Sequence, residues 1–183
     1  MIASLDNWLS LRGLLIGCLV FFAPRFCDAQ AIRGRDVLSN LRENHQQRFR
    51  EFSTQLEKLA VTCDAKQLDV GAETVRSRII APDILANHPG ALPREVLPEL
   101  PASLPEGERF WKTQLRSFEK GYAQDLYLMS RRALNDGYPS YAYSLVRESA
   151  FHDPDHTAAR KILGFVRQGN EWVTQFAASQ IKK

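Results

Sequence analysis

Six prolines stand between Ala81 and Gly107, and they restrict the possible folds of this chain more than any other feature. Proline lacks a backbone donor and also restricts the residue before it, so this stretch excludes a long helix and a central strand. Leucines are interleaved with the prolines, which is not the composition of a free linker. We therefore predict an irregular Pro-rich segment over residues 81–107 that is fastened to helical regions on both sides. The prolines are Pro82, Pro89, Pro93, Pro98, Pro101 and Pro105.

The region before the prolines carries an apolar stripe at helical spacing. From Asp36 to Cys63 the apolar residues recur mainly at steps of three and four, with His45 filling a gap in the stripe. This pattern predicts one long amphipathic helix, and a coiled-coil seam is the alternative to packing within the domain. A second helix is predicted over residues 65–80, where Gly71 is a weak point and Pro82 ends the helix. Residues 32–80 are thus predicted to form an N-terminal helical hairpin.

The region after the prolines, residues 108–183, also has helical spacing. Helices are predicted from Glu106 to about Asn135, from Ser140 to His152, and from Thr157 to about Gln168. Asp136-Gly137-Tyr138-Pro139 marks the first break, and Asp153 or Asp155 is expected to cap the third helix. The predicted fold class is all-α, with the helices of this region antiparallel.

Five residues of this region resemble the pattern of tetratricopeptide repeats, which are helix pairs of about 34 residues. The resemblance covers about one and a half repeats, over residues 125–170. It implies that Ala142 and Gly164 allow close helix contacts and that the helices bind a partner protein in a groove. At least about three repeats are usually needed for an independent stack, so simple packing on the N-terminal hairpin is the alternative. The residues are Gly137, Ala142, Pro154, Leu163 and Gly164.

A second resemblance covers Ala150 to Phe176, with the sequence AFHDPDHTAARKILGFVRQGNEWVTQF. The stretch is similar to a recurring signature of uncharacterised exported bacterial proteins. In longer members of that group more sequence follows the W-V-T segment, so this chain is expected to be a minimal or truncated member.

The first 31 residues have the features of a secretory signal peptide. Gly13 to Ala23 is an apolar run, and Ala29-Gln30-Ala31 supplies small residues for cleavage. The run is too short to span a membrane, because a helix rises about 1.5 Å per residue and the hydrocarbon core is roughly 30 Å thick. We expect a secreted or periplasmic protein, with an uncleaved membrane anchor as the alternative. Cleavage would leave Cys63 as the sole cysteine, expected to be a buried apolar residue.

The distribution of charge and the sequence motifs argue against several classes of function. The chain has 24 Lys and Arg against 21 Asp and Glu, interspersed along its length, which argues against a nucleic-acid partner. No phosphate-binding, dinucleotide-binding or nucleophile motif occurs. His152 and His156 could be metal ligands, but Pro154 breaks the helix between them. We therefore assign no catalytic, cofactor-binding or metal-binding residue, and a hydrolase that uses these histidines and a metal, or Cys63 and His156, is a weaker alternative.

The prediction for function is a non-enzymatic exported protein with a protein-binding or structural role in the cell envelope or outside the cell. A membrane-tethered spacer is a further alternative, in which only an uncleaved N-terminal segment meets the membrane. Aromatic residues crowd the turn between the predicted helices and cannot all point inward, so a partner protein of unknown identity is expected there. The partner-binding candidates are Tyr138, Tyr141, Tyr143, Arg131 and Arg132.

Overall fold

The computed structural model describes residues 24–87 and 91–181, and it confirms that the chain is mainly helical. The chain divides into two compact units, Met1–Ser39 and Asn40–Lys183. Residues 24–39 of the first unit lie in a helix, and residues 1–23, which carry most of the predicted signal peptide, lie outside the described residues. The elements are α1 (Pro24–Ala65), α2 (Asp69–Ser77), α3 (Pro82–Asn87), α4 (Glu106–Asn135), α5 (Pro139–His152), α6 (Thr157–Ile162), β1 (Phe165–Gln168), β2 (Glu171–Thr174) and α7 (Gln175–Ile181).

The predicted N-terminal helices correspond to α1 and α2, but α2 is shorter than expected. The chain between them turns at Gln67, which has a positive φ of 59°. The Leu68 amide donates to the Cys63 carbonyl at 2.9 Å, which closes the end of α1 in the manner of a Schellman motif. Because residues 66–68 form this turn, the helix predicted over residues 65–80 begins only at Asp69.

The helices α4 and α5 form a hairpin at the predicted break. Gly137 has a φ of 88°, and the Tyr138 amide donates to the Ala133 carbonyl at 2.8 Å. This is a second Schellman closure, in which glycine occupies the left-handed position without a Cβ penalty. Gly121 neither divides nor ends α4, which runs from Glu106 to Asn135 as predicted.

The core of the second unit lies between α1, α2, α4 and α5. Its fully buried side chains include Leu56 from α1, Val75 from α2, Leu126 from α4 and Leu145 from α5. A smaller cluster of Val146, Ala150 and Ala159 joins α5 to α6, with Leu92 of the Pro-rich segment packed against it. The apolar stripes seen in the sequence are therefore the faces that meet in these two clusters.

The Pro-rich segment has more structure than the irregular course predicted for it. It begins with the short helix α3, and its residues 94–96 then run beside β2. The Trp172 amide donates to the Arg94 carbonyl at 2.7 Å, and the Val96 amide donates to the Asn170 carbonyl at 2.9 Å. These bonds hold the segment to the C-terminal part of the fold.

The predicted helix from Thr157 to about Gln168 is wrong beyond Ile162. Gly164 has a φ of 81°, which stops α6 and starts β1. β1 and β2 then form an antiparallel hairpin in which Gln168 pairs with Glu171. Gly169, with a φ of 60°, takes the first position of the two-residue turn. The described part of the chain is therefore mainly helical with one small sheet, rather than all-α.

Candidate functional site

Four polar side chains meet inside the helical core, and we call them the buried polar cluster: His45, Tyr122, Tyr141 and Glu148. His45 Nε2 lies 3.1 Å from Glu148 Oε1, and His45 Nδ1 lies 3.2 Å from the Tyr141 hydroxyl. The Tyr122 hydroxyl donates to the same Glu148 oxygen at 2.9 Å. The cluster therefore joins α1, α4 and α5 by hydrogen bonds between side chains.

The two tyrosines of the buried polar cluster stay protonated, so their hydroxyls act as hydrogen-bond donors. Burial, together with the charge of Glu148, raises the pKa of Tyr122. The same two causes, burial first, raise the pKa of Tyr141 to about 12. Neither hydroxyl is a phenolate base at neutral pH, and both are directed at other members of the cluster. The arrangement is suited to holding three helices together rather than to proton transfer with a substrate.

His152 lies beside the buried polar cluster but is not part of its hydrogen bonding. Its ring meets the rings of Phe52 and Tyr122 edge-on, with centroids 5.2 and 5.0 Å away. Within the described part of the chain, its buried Nε2 has no hydrogen-bond partner. Burial lowers the pKa of His152 to about 4, so the imidazole is neutral at physiological pH.

The five predicted partner-binding residues differ in their exposure. Tyr138 and Tyr141 are partly buried and pack against the core, and Tyr141 belongs to the buried polar cluster. Tyr143 is 54% exposed. Arg131 and Arg132 are exposed, and they lie near Tyr127 and Asp136 respectively. Tyr143, Arg131 and Arg132 are therefore the exposed members of the five, and Tyr138 and Tyr141 are the partly buried ones.

The predicted repeat residues have different roles from one another. Ala142 is buried in the core. Gly164 lies in a turn rather than on a helix, and a Cβ there would meet no atom within 4 Å. The expectation of a close helix contact at Gly164 is therefore wrong, and its positive φ is the reason for glycine. Leu163 packs against the smaller cluster, and Pro154 is buried at the α5–α6 turn.

The stretch 150–176 contains three residues that hold the C-terminal part together, and we call them the C-terminal clamp: Asp155, Arg160 and Trp172. Arg160 is fully buried, and its Nε and Nη2 donate to the carbonyls of Pro154 and Pro93 at 2.8 and 2.6 Å. Its guanidinium lies 5.7 Å from the Trp172 ring. Arg160 and Trp172 are therefore in contact.

Asp155 links Trp172 of the C-terminal clamp to the Pro-rich segment. Trp172 Nε1 and the Leu97 amide each donate to one of its carboxylate oxygens at 3.1 Å. The predicted cap of α6 by Asp153 or Asp155 is therefore wrong, since the Asp153 carboxylate accepts from the Asp155 amide. His156 caps α6 instead, because its Nδ1 accepts from the Ala159 amide at 3.2 Å.

The residues considered as metal ligands or as a thiol nucleophile, His152, His156 and Cys63, have different contacts. His156 Nε2 lies 3.0 Å from Gln124 Oε1, whereas His152 is packed among aromatic rings. Cys63 is fully buried in the core, and burial raises the pKa of its thiol, which disfavours the thiolate that a nucleophile needs. Within residues 24–87 and 91–181, no group of three or more His, Cys, Asp or Glu side chains could hold a metal ion.

The C-terminal helix α7 has no buried residue, and its Phe176 and Ile181 are 73% and 62% exposed. A cleft of about 430 Å³ runs between α7 and β1, lined by Val166, Arg167, Gln168, Gln175, Ala178 and Ser179. Among the described helices, none has the length and the apolar character needed to cross a membrane.

Sequence reasoning missed Glu148 and Arg160 as key residues. Glu148 lies on the stripe of Tyr141, Leu145 and His152, so a carboxyl group on the buried face of α5 was the available signal. Arg160 follows Ala159, and nothing in its spacing indicates burial.

The fold and the site together define a mainly helical protein in which the buried polar cluster links α1, α4 and α5, and the C-terminal clamp holds the β1–β2 hairpin. A comparison of the chain with models of protein families, with curated proteins and with solved structures finds no match.

Proposed function

We propose that this chain is a non-enzymatic exported protein that binds another protein through its C-terminal part. The observation that carries the proposal is α7, a seven-residue helix with no buried residue and with Phe176 and Ile181 largely exposed. A helix this short is marginal in water without packing, and large exposed apolar side chains are characteristic of protein interaction sites. A partner that covers α7 would stabilise the helix and remove both side chains from water.

The proposal of a non-enzymatic role is supported by the state of the titratable core groups. The hydroxyls of Tyr122 and Tyr141 are directed at Glu148 and His45, and the Cys63 thiol is buried. No comparable observation favours the metal-dependent or thiol-dependent hydrolase.

Export is supported by the apolar run at Gly13–Ala23 and by the small residues at positions 29 and 31. Sequencing the N-terminus of the protein purified from its native cells tests this part. A start near Gln30 or Ile32 is expected, and a start at Met1 would favour the membrane-tethered spacer.

The tetratricopeptide resemblance remains a proposal for the α4–α5 hairpin. Gly137 at the turn and buried Ala142 at the helix contact support it. Because α6 ends at Ile162, the proposal extends to one helix pair and not to a second repeat.

Partner capture from the native envelope fraction tests the binding role. Wild-type chain is compared with Phe176→Ser and with the control Val61→Ser, which changes a 55% exposed valine on α1. We expect one partner to be captured by the wild type and the control and lost with Phe176→Ser. Equal capture by all three chains, or no captured partner, would contradict the proposal. Tyr143→Ala and Arg131→Ala, run alongside, test the α4–α5 surface predicted from the sequence.

A further inference from the structure

We propose that the outer edge of β1 binds an extended peptide segment as an added strand, with an acidic side chain of the peptide opposite Arg167. This inference rests on the proposed protein-binding function and names the kind of partner segment and the place where it binds. It is carried by the register of the hairpin, by the cleft beside it and by the charge of Arg167.

The register shows which backbone groups of β1 face outward. Gln168 and Glu171 flank the two-residue turn, and Arg167 pairs with Trp172 one step further along. The Trp172 amide donates away from β1, to the Arg94 carbonyl. In an antiparallel ladder this identifies Arg167 and Trp172 as a pair without mutual hydrogen bonds, so the N–H and C=O of Arg167 point to the outer edge of β1. The same alternation directs the N–H and C=O of Phe165 outward.

The other edge of the sheet is occupied, whereas this one faces the cleft. Residues 94–96 cover β2, with a bridge between Glu95 and Glu171. Among the described residues, no strand pairs with the outer edge of β1. The cleft of about 430 Å³ is bordered by the consecutive residues 166–168, whose side chains alternate between the two faces. A cleft that touches all three runs along the edge of the strand, and α7 forms its opposite wall.

Charge determines which segment fits. Arg167 is exposed, its Nε donates to the Gly169 carbonyl at 3.1 Å, and no carboxylate of the described residues forms an ion pair with it. It is the one formally charged side chain among the described residues that line the cleft. A cross-strand acidic residue opposite Arg167 is therefore favoured, and apolar residues are favoured opposite Val166 and Phe165. Such strand addition is an established mode of peptide recognition.

The test uses a blocked hexapeptide, Thr-Val-Glu-Val-Ile-Thr, titrated into the full chain and followed by NMR of the backbone amides. We expect the amide signals of Phe165 and Arg167 to shift most, and the peptide with Lys in place of Glu to bind more weakly. Methylation of the peptide nitrogen of its Glu should abolish binding, because that N–H would pair with the carbonyl of Arg167. Binding that is unaffected by this methylation would overturn the proposal.

Two variants at one position separate charge from backbone pairing. Arg167→Ala and Arg167→Pro both remove the guanidinium, but only Arg167→Pro removes the outward N–H, and it leaves the β1–β2 ladder bonds in place. We expect Arg167→Ala to weaken binding about threefold and Arg167→Pro to weaken it at least about tenfold. An unchanged NMR signal of the Trp172 indole N–H checks that the hairpin is intact. Equal binding by the two variants would overturn the proposal.

Two further outcomes would contradict peptide binding at the outer edge of β1. A concentration-dependent dimer of the chain that is lost in Arg167→Pro and kept in Arg167→Ala would assign the edge to a second copy and overturn the peptide proposal. If hexapeptide binding fails while partner capture still depends on Phe176, the strand addition is wrong and the binding function stands.

Discussion

His45 Nε2 and Glu148 Oε1 lie 3.1 Å apart although 103 residues separate them in the chain. Both side chains are about nine-tenths buried, and the Tyr122 hydroxyl donates to the same Glu148 oxygen. The contact links α1 to α5, and it lies within the apolar faces of both helices. A buried carboxyl group at this position requires its partners, because its desolvation is not offset by packing alone.

Removal of His45 should therefore destabilise the fold more than the loss of one hydroxyl. We expect His45→Ala to lower the free energy of unfolding by about 3 kcal/mol, since it leaves a cavity and removes a partner of buried Glu148. Tyr141→Phe, the control, removes only a hydroxyl and should cost about 1 kcal/mol. Urea denaturation of both variants and of the double variant measures the coupling. A cost below about 0.5 kcal/mol for His45→Ala would contradict the role given to the cluster.

Two helical glycines should respond to alanine in opposite directions. At Gly71 a Cβ would lie 2.9 Å from Trp111 Nε1, so Gly71→Ala forces the indole to move and should cost about 1–3 kcal/mol. At Gly121 nothing lies within 4 Å, so Gly121→Ala should stabilise α4 by about 0.5–1 kcal/mol. Thermal unfolding followed by circular dichroism distinguishes them. A stabilised Gly71→Ala would show that α2 and α4 are not in contact at Trp111.

The turn after α1 offers a matched pair of substitutions with the turn after α4. Gln67 holds a positive φ of 59°, where glycine would be unstrained, and Gly137 holds a φ of 88°. We expect Gln67→Gly to stabilise the protein by about 0.5 kcal/mol and Gly137→Ala to destabilise it by about 1 kcal/mol. Chemical denaturation measures both changes. If Gly137→Ala had no effect on stability, the positive φ given to residue 137 would be wrong.

The parts of the fold that could be predicted from the sequence are those with a local cause. Helical spacing gave the bounds of α4, and the Gly137 break gave the turn before α5. The hairpin was missed because Ile162 and Phe165 continue a helical spacing. The positive φ of Gly164, which ends that helix, is not visible in an apolar pattern.

The site was less accessible from the sequence, because its contacts join distant parts of the chain. His45 and Glu148 occupy stripes of different helices, and neither stripe indicates its partner. Asp153 or Asp155 was expected to cap the helix, because capping is the commonest local role of an aspartate before a helix. The actual partners of Asp155, the Leu97 amide and the Trp172 indole, come from segments that only the folded chain brings together.

Acid should destabilise the fold through His152. Its pKa falls from 6.5 to about 4 on folding, mainly by burial, while Glu148 opposes the shift and Arg78 and His45 add to it. The unfolded chain therefore binds more protons between these values, so stability is retained above about pH 6.5 and is lost as pH falls towards 4, by up to about 3 kcal/mol. Glu119, whose pKa is raised chiefly by burial, acts in the opposite direction.

Urea midpoints measured from pH 4 to pH 7 for the wild type and for His152→Phe test this assignment. The urea midpoint should change less steeply with pH in His152→Phe than in the wild type, whatever the change in absolute stability. Glu119→Gln, which removes the opposing group, should make the slope steeper. Equal slopes in the wild type and His152→Phe would mean that His152 is not the group that titrates.

The C-terminal clamp should be a local unit of stability that can open without the helical core. Asp155→Ala removes the acceptor of both the Trp172 indole and the Leu97 amide, so the contact between the Pro-rich segment and the hairpin should loosen. We expect faster hydrogen exchange at residues 94–97 and 165–174 and a red shift of tryptophan emission, with the amides of α4 and α5 unchanged. Asp153→Ala is the control, because the Asp153 carboxylate accepts from the Asp155 amide within the same turn, at 3.1 Å. Faster exchange that also spreads through α4 would show instead that the clamp and the core unfold together.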